Sequence, residues 1–147
     1  MRNGWTIIAV AALAAGGCQV GNVDQVGQQP RDAITYAARA KYPGNPTAMP
    51  EMPRVQAAAV DYRGLNEIEI LNLSDNAIPA STVWVNGSYL TRIDTIPPKG
   101  TTVVKYGQLL EAGAGTQDLK MAKQSPSKVE LQTADGLTPI QGPAVKR

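Results

Sequence analysis

The chain has no histidine, no phenylalanine and a single cysteine, Cys18, among its 147 residues. Without histidine it lacks the commonest general base, the base of Ser-His and Cys-His nucleophile pairs, and a usual ligand of zinc. A lone cysteine excludes an intramolecular disulfide and a cysteine-rich metal cluster. We therefore expect a protein that is not an enzyme and that carries neither a metal nor another cofactor.

Charged and aromatic side chains are also sparse. Aromatic residues make up 5% of the sequence and charged residues 18%, and the net charge is +2. Lys and Arg are scattered along the chain, whereas nucleic-acid binding requires a concentrated basic patch. We expect no nucleic-acid partner, and a core built mainly from Val, Ile, Leu and Ala in one domain with extensions.

The first eighteen residues have the composition of an export signal. Arg2 provides a positive start, and residues 5–15 form an uncharged run. Its length fits the roughly 7 to 15 apolar residues of a signal peptide better than the about 20 of a transmembrane helix. Small residues at positions 14–17 lead directly into Cys18. This segment resembles the lipobox of bacterial lipoproteins, with Ala15 at the position where Leu is usual and Leu13 two positions earlier.

The resemblance implies that residues 1–17 are a signal peptide and that Cys18 becomes the lipidated N-terminus. It implies a membrane anchor through that lipid. Because residue 19 is Gln and not Asp, it also implies the periplasmic side of the outer membrane. The alternative is an ordinary secretory signal cleaved near Ala14, which would leave Cys18 as a free thiol on a tail.

Residues 18–54 are predicted to be a tether. The polar, Gly-rich start at 19–29 favours a flexible segment, and four prolines between 43 and 53 indicate an extended spacer. Between them, residues 30–42 carry helix signals, and the apolar stripe of this helix would contain Ile34, Ala37, Ala38 and the stem of Lys41. We expect a helix that docks loosely or binds a partner, and a tether that adds little to the stability of the domain at 55–147.

A β-hairpin is predicted at the dipeptide Asn86-Gly87. Both residues tolerate the positive φ that a two-residue type I′ turn requires, and β-branched and aromatic residues flank them. Such a turn would place Trp84 opposite Tyr89 and Val83 opposite Leu90. Trp84 and Tyr89 would then share one face of the sheet.

Short strands separated by turn residues follow one another from Val55 onward. Seven of them within about 90 residues are typical of an immunoglobulin-like antiparallel β-sandwich. The sequence predicts the last strand over residues 137–145, and places it at a sheet edge because Pro139 and Pro143 cannot donate hydrogen bonds. In the strand at 66–73, Ile70 and Leu71 have opposite parity, which predicts a bulge or burial on both faces. The layout resembles small envelope lipoproteins that carry one such sandwich.

Three functions fit these features. The first is a non-enzymatic lipoprotein that binds or scaffolds another envelope component, either a protein or a polysaccharide. The second is a carbohydrate-binding module whose exposed aromatic platform would contain Trp84, Tyr89 and Tyr106. The third is a hydrolase built on Glu67 and Glu69, whose spacing along one strand suits a carboxylate pair.

The turn after the second strand offers a further alternative. Its oxygen-rich residues Asn72, Asp75 and Asn76 could bind calcium, although a hydrogen-bonded turn explains the same residues without a metal.

Overall fold

The computed structural model describes residues 31–45, 55–114 and 124–146. The predicted signal peptide, Cys18 and the proline spacer from residue 46 onward lie outside these ranges. The described elements are one α-helix, one short 3₁₀ helix at Tyr106–Gln108, and nine strands: α1 Arg31–Arg39, β1 Ala57–Tyr62, β2 Glu67–Asn72, β3 Ser81–Val85, β4 Tyr89–Ile93, β5 Thr101–Lys105, β6 Leu110–Glu111, β7 Val129–Thr133, β8 Gly136–Pro139 and β9 Gln141–Lys146. Within these ranges no helix has the length and apolar content needed to cross a membrane.

The strands form two sheets that pack as a sandwich. The four-stranded sheet has the order β5-β2-β1-β9, and the five-stranded sheet has the order β6-β4-β3-β7-β8. All neighbouring pairs are antiparallel except β1 and β9, which run parallel. The predicted antiparallel β-sandwich is confirmed, with nine strands in place of the expected seven.

The predicted last strand is in fact two strands. The chain leaves β8 at Pro139, turns at the buried Ile140 and continues as β9, so it changes sheet. Each half lies at the edge of its own sheet, as expected for segments that contain Pro139 and Pro143. Gly142 lies against β1, where a Cβ would come within 2.6 Å of the Ala59 carbonyl oxygen.

The main core lies between the sheets and follows the period-2 alternation of the strands. In β2, Ile68 and Ile70 are fully buried while Glu67, Glu69 and Leu71 alternate with them on the outer face. The pairing of β1 with β2 is continuous in register, so the bulge predicted near Ile70 is absent. Leu71 is half-buried on the outer face and does not disturb the alternation.

The hairpin forms at the predicted turn but in a different register. Asn86 and Gly87 have φ values of 54° and 67°, and the Ser88 N–H donates to the Val85 carbonyl over 3.2 Å. Val85 then pairs with Tyr89, so Ser88 is an extra residue that shifts the ladder by one position. The predicted pairing of Trp84 with Tyr89 is therefore wrong.

The shifted register changes which side chains share a face. Trp84 pairs with Leu90 and lies with it on the outer face of the five-stranded sheet. Tyr89 joins Val83 and Val85 in the core between the sheets.

Helix α1 covers that outer face. Ala37 is 1% exposed and belongs to one cluster with Trp84, Leu90 and Leu110. The Ala37 carbonyl accepts a hydrogen bond from the Gly113 N–H at 2.9 Å. Small alanine side chains let the helix approach closely over the Trp84 indole.

The packed stripe of α1 differs from the predicted one. It is made of Ala33 and Ala37, and Ala40, just after the end of the helix, continues it three residues later. Ile34 is 40% exposed and Ala38 and Lys41 are exposed as well. The helix ends at Arg39, three residues before the predicted end.

Candidate functional site

The three aromatic residues predicted as a binding platform are buried. Trp84 is 1% exposed beneath α1, whereas Tyr89 at 4% and Tyr106 at 9% lie in the core between the sheets. They occupy two separate clusters on different sides of the five-stranded sheet. Because an exposed platform needs rings on one accessible surface, these three residues do not form one.

The two carboxylates predicted as a catalytic pair lie on the outer face of the four-stranded sheet. Glu69 Oε2 accepts a hydrogen bond from the Tyr62 hydroxyl at 3.1 Å. Glu67 Oε1 lies 3.9 Å from Lys105 Nζ. A shallow concavity of about 210 Å³ adjoins both carboxylates, with Leu65 and Val103 among its lining residues. Each carboxylate already has a partner, as expected for a solvated strand face.

The oxygen-rich turn after β2 is held by hydrogen bonds of the Asn72 side chain. The buried Asn72 donates through Nδ2 to the carbonyls of Asn76, Ile96 and Pro97, at 2.8, 3.2 and 3.0 Å. Its Oδ1 accepts from the Ser74 N–H and hydroxyl. Since Asn72 is occupied in this way, the turn explains the residues without calcium. In the ranges described above, no three acidic, histidine or cysteine side chains are placed to hold a metal.

A buried carboxylate that the sequence did not predict closes one end of the core. Asp61 is fully buried on β1, and its Oδ1 accepts a short hydrogen bond from the Tyr106 hydroxyl. Its Oδ2 lies 3.3 Å from Arg63 Nε. Burial, followed by the hydrogen bond to Asp61, raises the pKa of Tyr106 well above its ordinary range. Both carboxylate oxygens are satisfied, so we assign this group a structural role.

A second carboxylate–tyrosine group joins the segment after α1 to the sheet. The Tyr42 hydroxyl donates to Glu130 Oε2 at 2.5 Å, and Lys128 Nζ lies 2.9 Å from Glu130 Oε1. Lys128 also donates to the Tyr42 hydroxyl at 3.0 Å. The Tyr42 ring meets Trp84 edge to face, with centroids 5.3 Å apart. This group stabilises the position of α1.

A polar cleft lies beside α1, where the helix leaves part of the sheet uncovered. We call it the α1 cleft. Its volume is about 270 Å³. Three of the described residues that line it are apolar, and the other six are Tyr36, Ser81, Thr82, Arg92, Gln132 and Thr133. None of these lining residues is acidic, and Arg92 carries the single formal charge.

Strand register and α1 together place these side chains. Thr82 of β3 pairs with Arg92 of β4 on one side and with Gln132 of β7 on the other. From α1, the Tyr36 hydroxyl hydrogen-bonds the Thr82 hydroxyl at 3.0 Å. The Arg92 guanidinium carbon lies 5.3 Å from the centroid of the Tyr36 ring. The ring therefore holds the guanidinium by a cation–π contact through its face, and such a contact leaves the N–H groups at the guanidinium edge directed sideways for hydrogen bonds.

The orientation of Gln132 follows from its neighbour. Trp84 Nε1 lies 2.7 Å from Gln132 Oε1. An indole N–H can only donate, so the amide oxygen must face it and the amide nitrogen remains a donor. Thr133 Oγ1 accepts from the Asp135 N–H at 3.2 Å. The cleft thus combines one cation with several neutral donors.

The residues of the α1 cleft were not predicted from the sequence. Tyr36, Arg92 and Gln132 come from three separate segments. The pairing of β3 with both neighbours brings Arg92 and Gln132 together, and Tyr36 reaches them from α1. One feature of the sequence could have pointed to Thr82. It lies two residues before Trp84 on the same strand, so both side chains lie on the same face of the sheet, and the element that covers the indole must also lie near Thr82.

Comparisons of the chain with protein-family models, curated proteins and solved structures gave no match.

Proposed function

We propose that this chain is a lipid-anchored, non-enzymatic binding module of the bacterial cell envelope, and that the α1 cleft is its ligand site. The observation that carries the proposal is the composition of the cleft. Arg92, positioned on the Tyr36 ring, faces a lining with hydroxyl and amide groups and no carboxylate. A concave site with a few convergent polar groups is typical of ligand binding.

The state of the carboxylates supports a binding role over a catalytic one. Asp61, Glu67, Glu69 and Glu130 each have a tyrosine or a basic partner. A general base needs to reach a substrate proton, and a carboxylate that is already bonded within a strand face or the core is poorly placed for this. None of the four is among the residues that line the α1 cleft.

The anchor in this proposal depends on the lipobox-like segment that ends at Cys18. The lipid would hold the domain at the membrane surface, on the periplasmic side of the outer membrane, with the described domain projecting from it. Membrane fractionation and intact-mass measurement test this part. We expect wild-type protein in the membrane fraction with a mass increased by acyl chains, and Cys18→Ser protein without that increase. A soluble wild-type protein with a free thiol would contradict the anchor.

Affinity capture from solubilised envelopes tests the binding part. The wild-type full-length chain is compared with Gln132→Glu, which keeps an oxygen for the Trp84 indole but replaces the amide donor with a negative charge. The control is Lys105→Glu, a charge change on the outer face of the other sheet. We expect a component that the wild type and the control retain and that Gln132→Glu loses. Equal capture by all three proteins would move the binding site away from the α1 cleft.

A further inference from the structure

We infer that the α1 cleft binds a carboxylate group of its ligand, with the Arg92 guanidinium as the primary contact. This inference rests on the proposed function, because it names the ligand chemistry of the same cleft. Three properties of the cleft support it: the donors that face the cleft, the charge that the cleft can balance and the size of the group that it can hold.

The donors determine the sign of the ligand. The guanidinium of Arg92 has donors and no acceptor, and the free end of Gln132 is its amide nitrogen because Oε1 is bound to Trp84. Thr82 and Tyr36 share one hydrogen bond, in which one hydroxyl gives its proton and the other keeps its own. A ligand group that only accepts hydrogen bonds satisfies this set, and an anionic oxygen accepts them most strongly.

The charge of the cleft selects among anions. Arg92 is the one charged residue among the described residues that line it, and its described contacts contain a ring and no carboxylate. A monoanion such as a carboxylate balances that single charge, and its two oxygens match the fork of the guanidinium. A phosphate dianion would keep an excess negative charge in the cleft, so we favour the carboxylate.

The volume of about 270 Å³ limits how much of the ligand can enter. Pockets for drug-sized ligands have roughly 300–1,000 Å³, so this smaller cleft suits a carboxylate with a few attached atoms rather than a whole drug-sized molecule. Such a group occurs at the C-terminus of a peptide and on an acidic sugar. Both sources share the recognised chemistry, and the test distinguishes them.

Titrations followed by two-dimensional ¹H–¹⁵N NMR of the full-length chain in detergent micelles test the inference. The reporter is the indole N–H resonance of Trp84, which is bonded to Gln132 beside the cleft. The backbone N–H resonance of Val103, an exposed residue on the outer face of the other sheet, is the internal control. The probes are N-acetyl-alanyl-alanine and its C-terminal amide, galacturonate and galactose, and inorganic phosphate.

We expect saturable shifts of the Trp84 indole with a carboxylate probe and none with the matched amide or neutral sugar. Arg92→Ala and Gln132→Glu should each weaken binding by about tenfold or more, because a charge-assisted contact is lost or opposed. Arg92→Lys should fall between them and the wild type, since it keeps the charge without the fork. Lys105→Ala, a remote loss of the same charge, should bind as the wild type does. Preservation of the dispersed Trp84 indole resonance confirms that each variant is folded.

The two carboxylate probes identify the source. Tighter binding of the peptide acid assigns a peptide C-terminus, and tighter binding of galacturonate assigns an acidic sugar. Equal shifts with charged and neutral probes, unchanged affinity in both cleft variants, or tighter binding of phosphate would overturn the inference. Envelope capture that depends on Gln132 without carboxylate binding would refute the ligand class but retain the proposed function. Carboxylate binding without such capture would support the ligand class but refute the proposed function.

Discussion

The rings of Tyr42 and Trp84 pack edge to face, with centroids 5.3 Å apart and an angle of 71° between their planes. Tyr42 lies just after α1, and Trp84 lies on β3, the central strand of the five-stranded sheet. Ala37 and Tyr42 both pack against Trp84, so together they bury its indole ring. The helix and the residues that follow it are therefore part of the packed domain, which changes what their removal should do.

The first prediction concerns the attachment of α1. Ala37→Asp places a charge where the native side chain is 1% exposed, within the apolar cluster of Trp84, Leu90 and Leu110. We expect the free energy of unfolding to fall by roughly 3 kcal/mol or more. Ala38→Asp is the matched control, because this neighbour is exposed on the same helix and has the same change in helix propensity.

Urea unfolding of both variants measures the difference. A midpoint for Ala37→Asp equal to that of Ala38→Asp would mean that α1 adds nothing to stability, as the sequence alone suggested for the tether. Stability lost in Ala37→Asp alone would establish that the folding unit includes the helix.

The sequence predicted the strands well because their residues alternate between the core and solvent. Ala57 and Ala59 in β1, and Val129 and Leu131 in β7, face the core as expected. The turn was also predictable, since Asn86 and Gly87 tolerate positive φ. The register was not predictable, because a single extra residue at Ser88 shifts the ladder without changing the turn dihedrals.

The helix contact and the cleft were beyond sequence reasoning for a different reason. The stripe of α1 is made of alanines, which give little hydrophobic signal, so its partner face could not be identified. Arg92 and Gln132 are close only because both flank Thr82 in the sheet, and that pairing depends on contacts between segments far apart in the chain.

The second prediction concerns Asn86, whose side chain brackets the segment before β7. Its Oδ1 accepts hydrogen bonds from the backbone N–H groups of Ser127 and Lys128 at 2.8 and 3.1 Å. Its Nδ2 donates to the Ser125 carbonyl at 3.2 Å. Asn86→Gly keeps the positive φ but removes these bonds, so we expect a loss of roughly 1–3 kcal/mol and faster amide exchange at Lys128.

Asn86→Ala and Gly87→Val distinguish the contribution of the turn conformation to stability from that of the Asn86 side-chain hydrogen bonds. Asn86→Ala also forces a residue with a Cβ into the left-handed region, so it should be less stable than Asn86→Gly by about 1 kcal/mol. Gly87→Val places a β-branched side chain at a φ of 67°, at a cost on the order of 1–3 kcal/mol. Unchanged exchange at Lys128 in Asn86→Gly would show that the bracket is not formed in solution.

The third prediction is a loss of stability at alkaline pH. Burial and the hydrogen bond to Glu130 raise the pKa of Tyr42 above its ordinary value of 10.0. For Lys128, burial acts to lower the pKa, but the hydrogen bonds to Tyr42 and Glu130 outweigh it and the pKa is raised from 10.5. The raised pKa of Tyr106 acts in the same direction. In each case the folded state retains its proton more strongly than the unfolded state does.

The sign follows from that difference in proton binding. The stabilisation from these groups is complete below the unfolded pKa values of 10.0 and 10.5 and is lost as the pH rises through the higher folded values. Unfolding midpoints measured at increasing pH should therefore decline once the pH passes those unfolded values. Tyr42→Phe should decline less steeply than the wild type, because one of the titrating groups is absent. If the unfolding midpoints of the wild type and of Tyr42→Phe fell with pH at the same slope, Tyr42 would not contribute to the alkaline loss of stability.

The central claim is that this domain binds its envelope partner through the α1 cleft, and site-specific photo-crosslinking in living cells tests it most directly. A photoreactive residue at Ala134, an exposed position that lines the cleft, is compared with one at Val103 on the open face of the four-stranded sheet. We predict a discrete adduct from position 134 that disappears when Arg92→Ala is added, and none from position 103. An adduct from position 103 alone, or one from position 134 that persists without Arg92, would contradict the account.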